Sequence, residues 1–131
     1  MLKINHPAPE FTAKAYHQDK IKEISLQDYR GKWIILFFYP GDFTFVCPTE
    51  LGELAKEHNN LKEKNVEILS VSTDSVYVHK AWHDESKTVK QVDFPMLSDQ
   101  SGNISKLYHT YIEDEGISLR GTFLIDPEGK L

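Results

Sequence analysis

The stretch Trp33-Ile-Ile-Leu-Phe-Phe-Tyr-Pro-Gly-Asp-Phe-Thr-Phe-Val-Cys-Pro-Thr-Glu50 decides the fold. Its first part, Trp33–Tyr39, is uniformly apolar, rich in β-formers and bounded by Lys32 and Pro40. Such a run reads as a central strand buried on both faces. Pro40 to Val46 forms a loop that carries the chain to Cys47. Pro48 then suits the first position of a helix, where its missing N–H is no loss. That helix is expected from about Pro48 to Lys64, with Leu51, Leu54, Ala55, His58 and Leu61 on one face.

Outward from this segment the elements alternate. Upstream, residues 1–10 read as an extended arm, and Phe11–His17 and Lys20–Ser25 as two short strands. Ser25 caps one helical turn, Leu26–Tyr29, which Gly31 ends. Downstream come a buried strand, Val66–Thr73, a helix over Ser75–Glu85 and a short extended piece, Phe94–Leu97. A turn at Ser98–Gly102 leads to a short helix over Ile104–Tyr111 and a strand, Thr122–Ile125. Strand, helix, strand, helix and strand predict an α/β sheet with helices on both faces. The chain of 131 residues fits one domain, 1–131. Asp126-Pro-Glu-Gly129 is a strong turn, followed by two residues only. The sequence therefore reads as cut short, with Thr122–Ile125 left as an open edge or paired on one side only.

Charge and hydropathy exclude several function classes. Fifteen Lys and Arg stand against twenty Asp and Glu, for a net charge of −5. An acidic chain with scattered basic residues argues against nucleic-acid binding. The longest apolar run, Trp33–Tyr39, falls far short of the ~20 residues that cross a bilayer. Met1–Pro7 lacks the apolar stretch of a secretion signal. These features predict a soluble, cytoplasmic protein without a membrane role.

There is one cysteine, Cys47, so neither an internal disulfide nor a multi-thiolate metal site can form. A lone cysteine is most often a small buried hydrophobe. Its place just before Pro48 argues for reactivity instead. Cys47 reads as the residue capping the helix, with Glu50 three positions on in capping-box spacing. Free backbone N–H groups and the positive helix end favour the thiolate. Lowering a thiol pKa from ~8.5 to ~6 takes about 3.4 kcal/mol. A helix terminus supplies at most ~2. A second cation is needed, and arginine suits it. Full ionisation of a thiol that is already a few per cent thiolate gains only about 30-fold, so substrate positioning must supply the rest.

Phe37–Glu50 resembles the active-site segment of the peroxiredoxins, closest to the alkyl hydroperoxide reductase C type, the typical two-cysteine group. Pro40, Thr44 and Cys47 meet the core motif of proline, three residues, threonine, two residues, cysteine. Arg120-Gly-Thr-Phe-Leu-Ile-Asp126 is similar to the second family block, an arginine opening a strand. Asn5–Phe11 and Glu113–Ile117 also resemble the family. The resemblance implies a thioredoxin-like fold with an N-terminal extension, here lacking a C-terminal strand and helix. It implies reduction of hydrogen peroxide or organic hydroperoxides, with Cys47 attacking a peroxide oxygen and leaving as sulfenic acid. Thr44 would place its hydroxyl against sulfur and peroxide, and Pro40 would shield the sulfur. Arg120 would supply the missing cation, and Glu50 would hold Arg120 or cap its own helix. No cofactor or metal is implied. The partners would be a peroxide, a thiol reductant (thioredoxin-like or a flavoprotein disulfide reductase) and a second subunit in a homodimer or higher oligomer.

These 131 residues hold no resolving cysteine, so either the full protein continues past Leu131 or an external thiol reduces the sulfenic acid. The late edge strand through which the family pairs subunits would lie beyond Leu131. Phe43 and Phe45 are either a partner-facing pair or ordinary core. The glycine-rich insert of oxidation-sensitive eukaryotic members is absent between Val92 and Ser98, as in a bacterial-style member. His79 and His83, at i and i+4, have metal-ligand spacing, but the glutamate of a zinc protease is missing and a solvated helix face accounts for them. Asp99–Asn103 is similar to a calcium loop with its glycine misplaced. Two competing functions remain. A thiol–disulfide oxidoreductase needs a second cysteine where Glu50 stands, and a non-catalytic, chaperone-like fragment would consume no peroxide.

Overall fold

Trp33–Phe38 forms the strand that the sequence predicts, and its side chains alternate between two cores. Ile34, Leu36 and Phe38 enter one, and Phe37 enters the other together with Tyr39 beyond the strand end. Only Trp33, at the strand start, is exposed. The computed structural model describes residues 2–42 and 47–131, with the backbone alone for 47, 48 and 50.

In chain order the elements are β1 (Thr12–His17), β2 (Lys20–Ser25), a 3-10 turn (Leu26–Tyr29), β3 (Trp33–Phe38) and α1 (Cys47–Glu63). Then come β4 (Val66–Ser72), α2 (Val76–Glu85), a second 3-10 turn (Val89–Gln91) and β5 (Met96–Ser98). The chain closes with α3 (Asn103–Leu107), β6 (Tyr111–Ile112), β7 (Ile117–Ser118) and β8 (Gly121–Ile125). Among the described residues the main sheet has the order β2-β1-β5-β4-β3-β8. Its centre, β5-β4-β3, is parallel, while β1 and β8 flank it antiparallel. The parallel strands need crossovers, which α1 and α2 provide. Leu51 of α1 and Trp82 of α2 pack with Phe37, Ile68 and Met96 on one face of the sheet. Ile104 of α3 and Tyr108 just after it pack with Leu36, Phe38, Leu69 and Leu97 on the other. No helix among the described residues is long and apolar enough to cross a membrane.

Three expectations are corrected. The helix expected over Ile104–Tyr111 spans only Asn103–Leu107. His109 turns left-handed at φ 58° and the Thr110 N–H returns to the Ser105 carbonyl at 2.8 Å, which frees Tyr111 for the β6–β7 hairpin. The helix after the loop opens at Cys47, not Pro48, which puts the cysteine inside the first turn. A proline fits any first-turn position because none of those N–H groups has an intrahelical partner. The chain end also finds a partner. The Ala8 N–H donates to the Gly129 carbonyl at 2.8 Å and the Leu131 N–H to the His6 carbonyl at 3.0 Å, so the N-terminal arm pairs with residues 129–131. β8 itself is paired through β3 alone among the described residues.

The turn that opens α3 gives a stability prediction. Gly102 has φ +77°, and a Cβ there would run into the Tyr111 ring. Gly31 has φ +91° with open space around it. Gly102→Ala therefore combines backbone strain with overpacking and is expected to cost about 2–4 kcal/mol. Gly31→Ala meets strain alone, about 1–2 kcal/mol. Urea unfolding of both variants checks the difference, and equal costs would contradict the packing argument.

Candidate active site

β3 delivers residues 39–42 to the carboxyl ends of the parallel strands, where open α/β sheets place their sites. The Tyr39 N–H still bonds the Val71 carbonyl at 3.1 Å, so the ladder with β4 runs one residue past the strand. Pro40 follows, half-buried, and Gly41 and Asp42 are buried. Thr44, Phe43 and Phe45 lie outside the described residues. Cys47 and Glu50 are placed by backbone only, in the opening turns of α1.

Arg120 arrives from far along the chain. In the β3–β8 ladder Phe38 lies opposite Gly121, so Arg120, the next residue outward, comes level with Tyr39. The arginine and the root of the cysteine loop therefore share one end of the sheet. The Arg120 residue is exposed to solvent there.

Under the loop lies a polar network that reading by motif misses. Tyr39 and Asp42 are buried, and the Tyr39 hydroxyl donates to Asp42 Oδ1 at 2.6 Å. Asp42 Oδ2 lies 2.6 Å from Nδ1 of His79, which is fully buried on α2. His79 Nε2 lies 2.9 Å from the Leu97 carbonyl. A carbonyl only accepts, so Nε2 carries a proton, and one further proton lies between Nδ1 and Oδ2. The Asp42 N–H donates to Asp74 Oδ2 at 2.8 Å, and the Ser72 hydroxyl donates to the same oxygen at 2.7 Å. Burial, then the Asp42 carboxylate, raises the Tyr39 phenol well above its ordinary pKa, so it remains a donor at neutral pH.

His79 and His83 do not lie on a solvated helix face, as their spacing suggests; both turn inward. His83 Nε2 donates to the Val92 carbonyl at 2.8 Å, and His17 Nε2 to the Asp93 carbonyl at 2.7 Å. His58 Nδ1 meets the Asp93 carboxylate. Burial, then Lys22, lowers the His17 pKa, which keeps that ring neutral. Four imidazoles thus hold the segment 92–97 from β1, α1 and α2. The sequence signal for His79 is its phase with Val76 and Trp82 on the buried side of α2. Asp99 is likewise committed, its carboxylate accepting from Ile104 N–H at 2.9 Å and Ser105 N–H at 2.8 Å at the start of α3.

A thioredoxin-like sheet with a lone cysteine opening the helix after its central strand defines a thiol-based redox protein. The chain belongs to the AhpC/TSA family, whose model matches residues 4–131. Alkyl hydroperoxide reductase C of Staphylococcus epidermidis is 44% identical over 131 residues, covering 98% of this chain and 69% of that protein. A selenocysteine-containing peroxiredoxin of Peptoclostridium acidaminophilum is 46% identical over 132 residues, covering 98% and 65%. The crystal structure of Enterococcus faecalis AhpC superposes with a TM-score of 0.95 at 43% identity, covering 99% of this chain and 78% of that one. The reduced 2-Cys peroxiredoxin of Plasmodium vivax gives a TM-score of 0.92 at 38% identity, covering 97% and 80%. These relationships make the chain a thiol-dependent peroxidase.

Proposed function

We propose that Cys47 is the peroxide-reducing nucleophile of this chain, acting on hydrogen peroxide and organic hydroperoxides. The thiolate attacks one peroxide oxygen and the O–O bond breaks. Sulfur gives two electrons and becomes sulfenic acid, and the departing oxygen takes a proton to leave as water or an alcohol. Arg120 stabilises the thiolate and the charge that develops on the leaving oxygen. Thr44 orients the peroxide, Pro40 shields the sulfur and Glu50 holds Arg120.

The observation that supports this reading most is the β3–β8 register, which brings Arg120 level with the root of the loop that carries Cys47. A helix terminus alone falls short of the stabilisation a low thiol pKa requires, and an arginine at that end of the sheet makes up the difference. The oxidised sulfur returns to thiol by exchange with a second thiol, with a thioredoxin-like protein or a flavoprotein disulfide reductase as the source of electrons. The setting is cytoplasmic and the working form a homodimer or larger assembly.

Mixing the chain with stoichiometric hydrogen peroxide tests the proposal. The expected result is rapid loss of the Cys47 thiol, followed by intact mass. With excess peroxide and no reductant, the mass gain moves from one oxygen to two as sulfinic acid forms. Thiol loss no faster than that of free cysteine would overturn the assignment.

A further inference from the structure

Asp42 stands five residues before Cys47 and is held on three sides. Tyr39 donates to one carboxylate oxygen, His79 faces the other, and the Asp42 N–H is taken by Asp74. His79 in turn is anchored through Nε2 to the Leu97 carbonyl of β5. Both Asp42 and His79 side chains are fully buried. A buried carboxylate facing an imidazole costs desolvation, which apolar residues of the same size would avoid. Nothing in the proposed chemistry at Cys47 uses either group. The pair joins two elements, the segment 39–42 that leads to the cysteine and the helix α2.

We propose that His79, acting through the Asp42 carboxylate, is a positioning residue that fixes the root of the Cys47 loop for attack on peroxide. This rests on the peroxidase reading above. A hydrogen bond is directional, so the 2.6 Å contact between Asp42 Oδ2 and His79 Nδ1 sets the height and rotation of the backbone at residue 42. A displacement of about 1 Å at a reacting atom can cost on the order of 100-fold in rate. The role is distinct from lowering the thiol pKa.

The experiment compares two reactions of the Cys47 thiol at one pH, oxidation by stoichiometric hydrogen peroxide and alkylation by iodoacetamide. Peroxide reduction needs the built site, whereas alkylation reads the thiolate and its exposure. For His79→Leu and Asp42→Ala the expected result is a peroxide rate lower by roughly 10- to 100-fold with alkylation within about threefold of wild type. The conservative Asp42→Asn recovers most of the rate that Asp42→Ala loses. Its amide N–H donates to Nδ1 of a neutral His79 and its carbonyl accepts from Tyr39, so all three bonds persist. Should His79→Leu fail to fold by circular dichroism, Tyr39→Phe, which removes one bond to Asp42, reads the same selective loss at about 3- to 10-fold. Peroxide rates within threefold of wild type, or peroxide and alkylation rates that fall together, would overturn the proposal. An Asp42→Asn variant as slow as Asp42→Ala would do so too. A wild-type chain without the fast peroxide reaction overturns the peroxidase reading and this inference with it. A fast wild type with equally fast variants overturns this inference alone.

Discussion

Cys47→Ser is expected to end peroxide reduction, with a loss on the order of 10⁴-fold or more, as when the nucleophile of other covalent enzymes is removed. A serine hydroxyl stays protonated at neutral pH, and its oxygen cannot accept another oxygen atom as sulfur does. The fold should survive, because serine has nearly the shape of cysteine and the exchange leaves the backbone of α1 unchanged. Circular dichroism and urea unfolding check that point, and peroxide consumption with a small-thiol reductant checks the chemistry. Residual turnover within tenfold of wild type would mean that another group carries the reaction. Since Cys47 is the only cysteine in the chain, that group could not be a thiol.

Arg120→Ala is expected to slow oxidation of Cys47 by about 10²- to 10³-fold, the range seen when a preorganised donor to a developing oxyanion is removed. Two effects contribute, and their sizes separate them. Removing the cation raises the thiol pKa, so at neutral pH less thiolate is present. A thiol that falls back to ordinary ionisation retains a few per cent thiolate, so this effect is limited to about 30-fold. It is also reversible, since raising the pH above the new pKa restores the thiolate. The remaining loss reflects missing transition-state stabilisation and persists at high pH. Arg120→Lys keeps the charge and loses the planar fork, so it should recover ionisation more fully than rate. Rate against pH for the three chains is the deciding measurement. If Arg120→Ala reaches the wild-type rate at high pH, the arginine only tunes ionisation.

The glycine and histidine variants test different layers. Gly102→Ala examines how the α3 turn packs on Tyr111, remote in sequence from the cysteine loop. The His79 series examines the link between α2 and that loop.

Much of the architecture was legible in the chain because it is local. The apolar run Trp33–Phe38 has both faces buried wherever it lies in a parallel sheet, so its burial follows from composition. Pro48 marks the start of α1 because a proline fits a first helical turn. Leu51 and His58 face inward, as a period of 3.6 residues requires. The end of α3 was not legible. Whether Tyr108–Tyr111 continues a helix or turns into a hairpin depends on a left-handed residue at His109 and on the β7 partner, and neither has a strong local signal.

The candidate site divides in the same way. Cys47, its proline and the loop motif are contiguous in the sequence, and so is the pairing of Arg120 with the strand that follows it. That Arg120 comes level with Tyr39 depends on β8 pairing antiparallel to β3 with Phe38 opposite Gly121, a register that only the assembled sheet determines. The histidines show the same limit more sharply. Spacing on α2 leaves His79 and His83 free to face solvent, a metal or the core. They face the core because the carbonyls of Val92 and Leu97 and the Asp42 carboxylate are buried there and need donors. Sequence determined which segments are strands and helices and where the thiol sits, since those depend on neighbours along the chain. Tertiary structure alone decided which distant polar groups meet, since a buried acceptor recruits whichever donor the fold brings within about 3 Å.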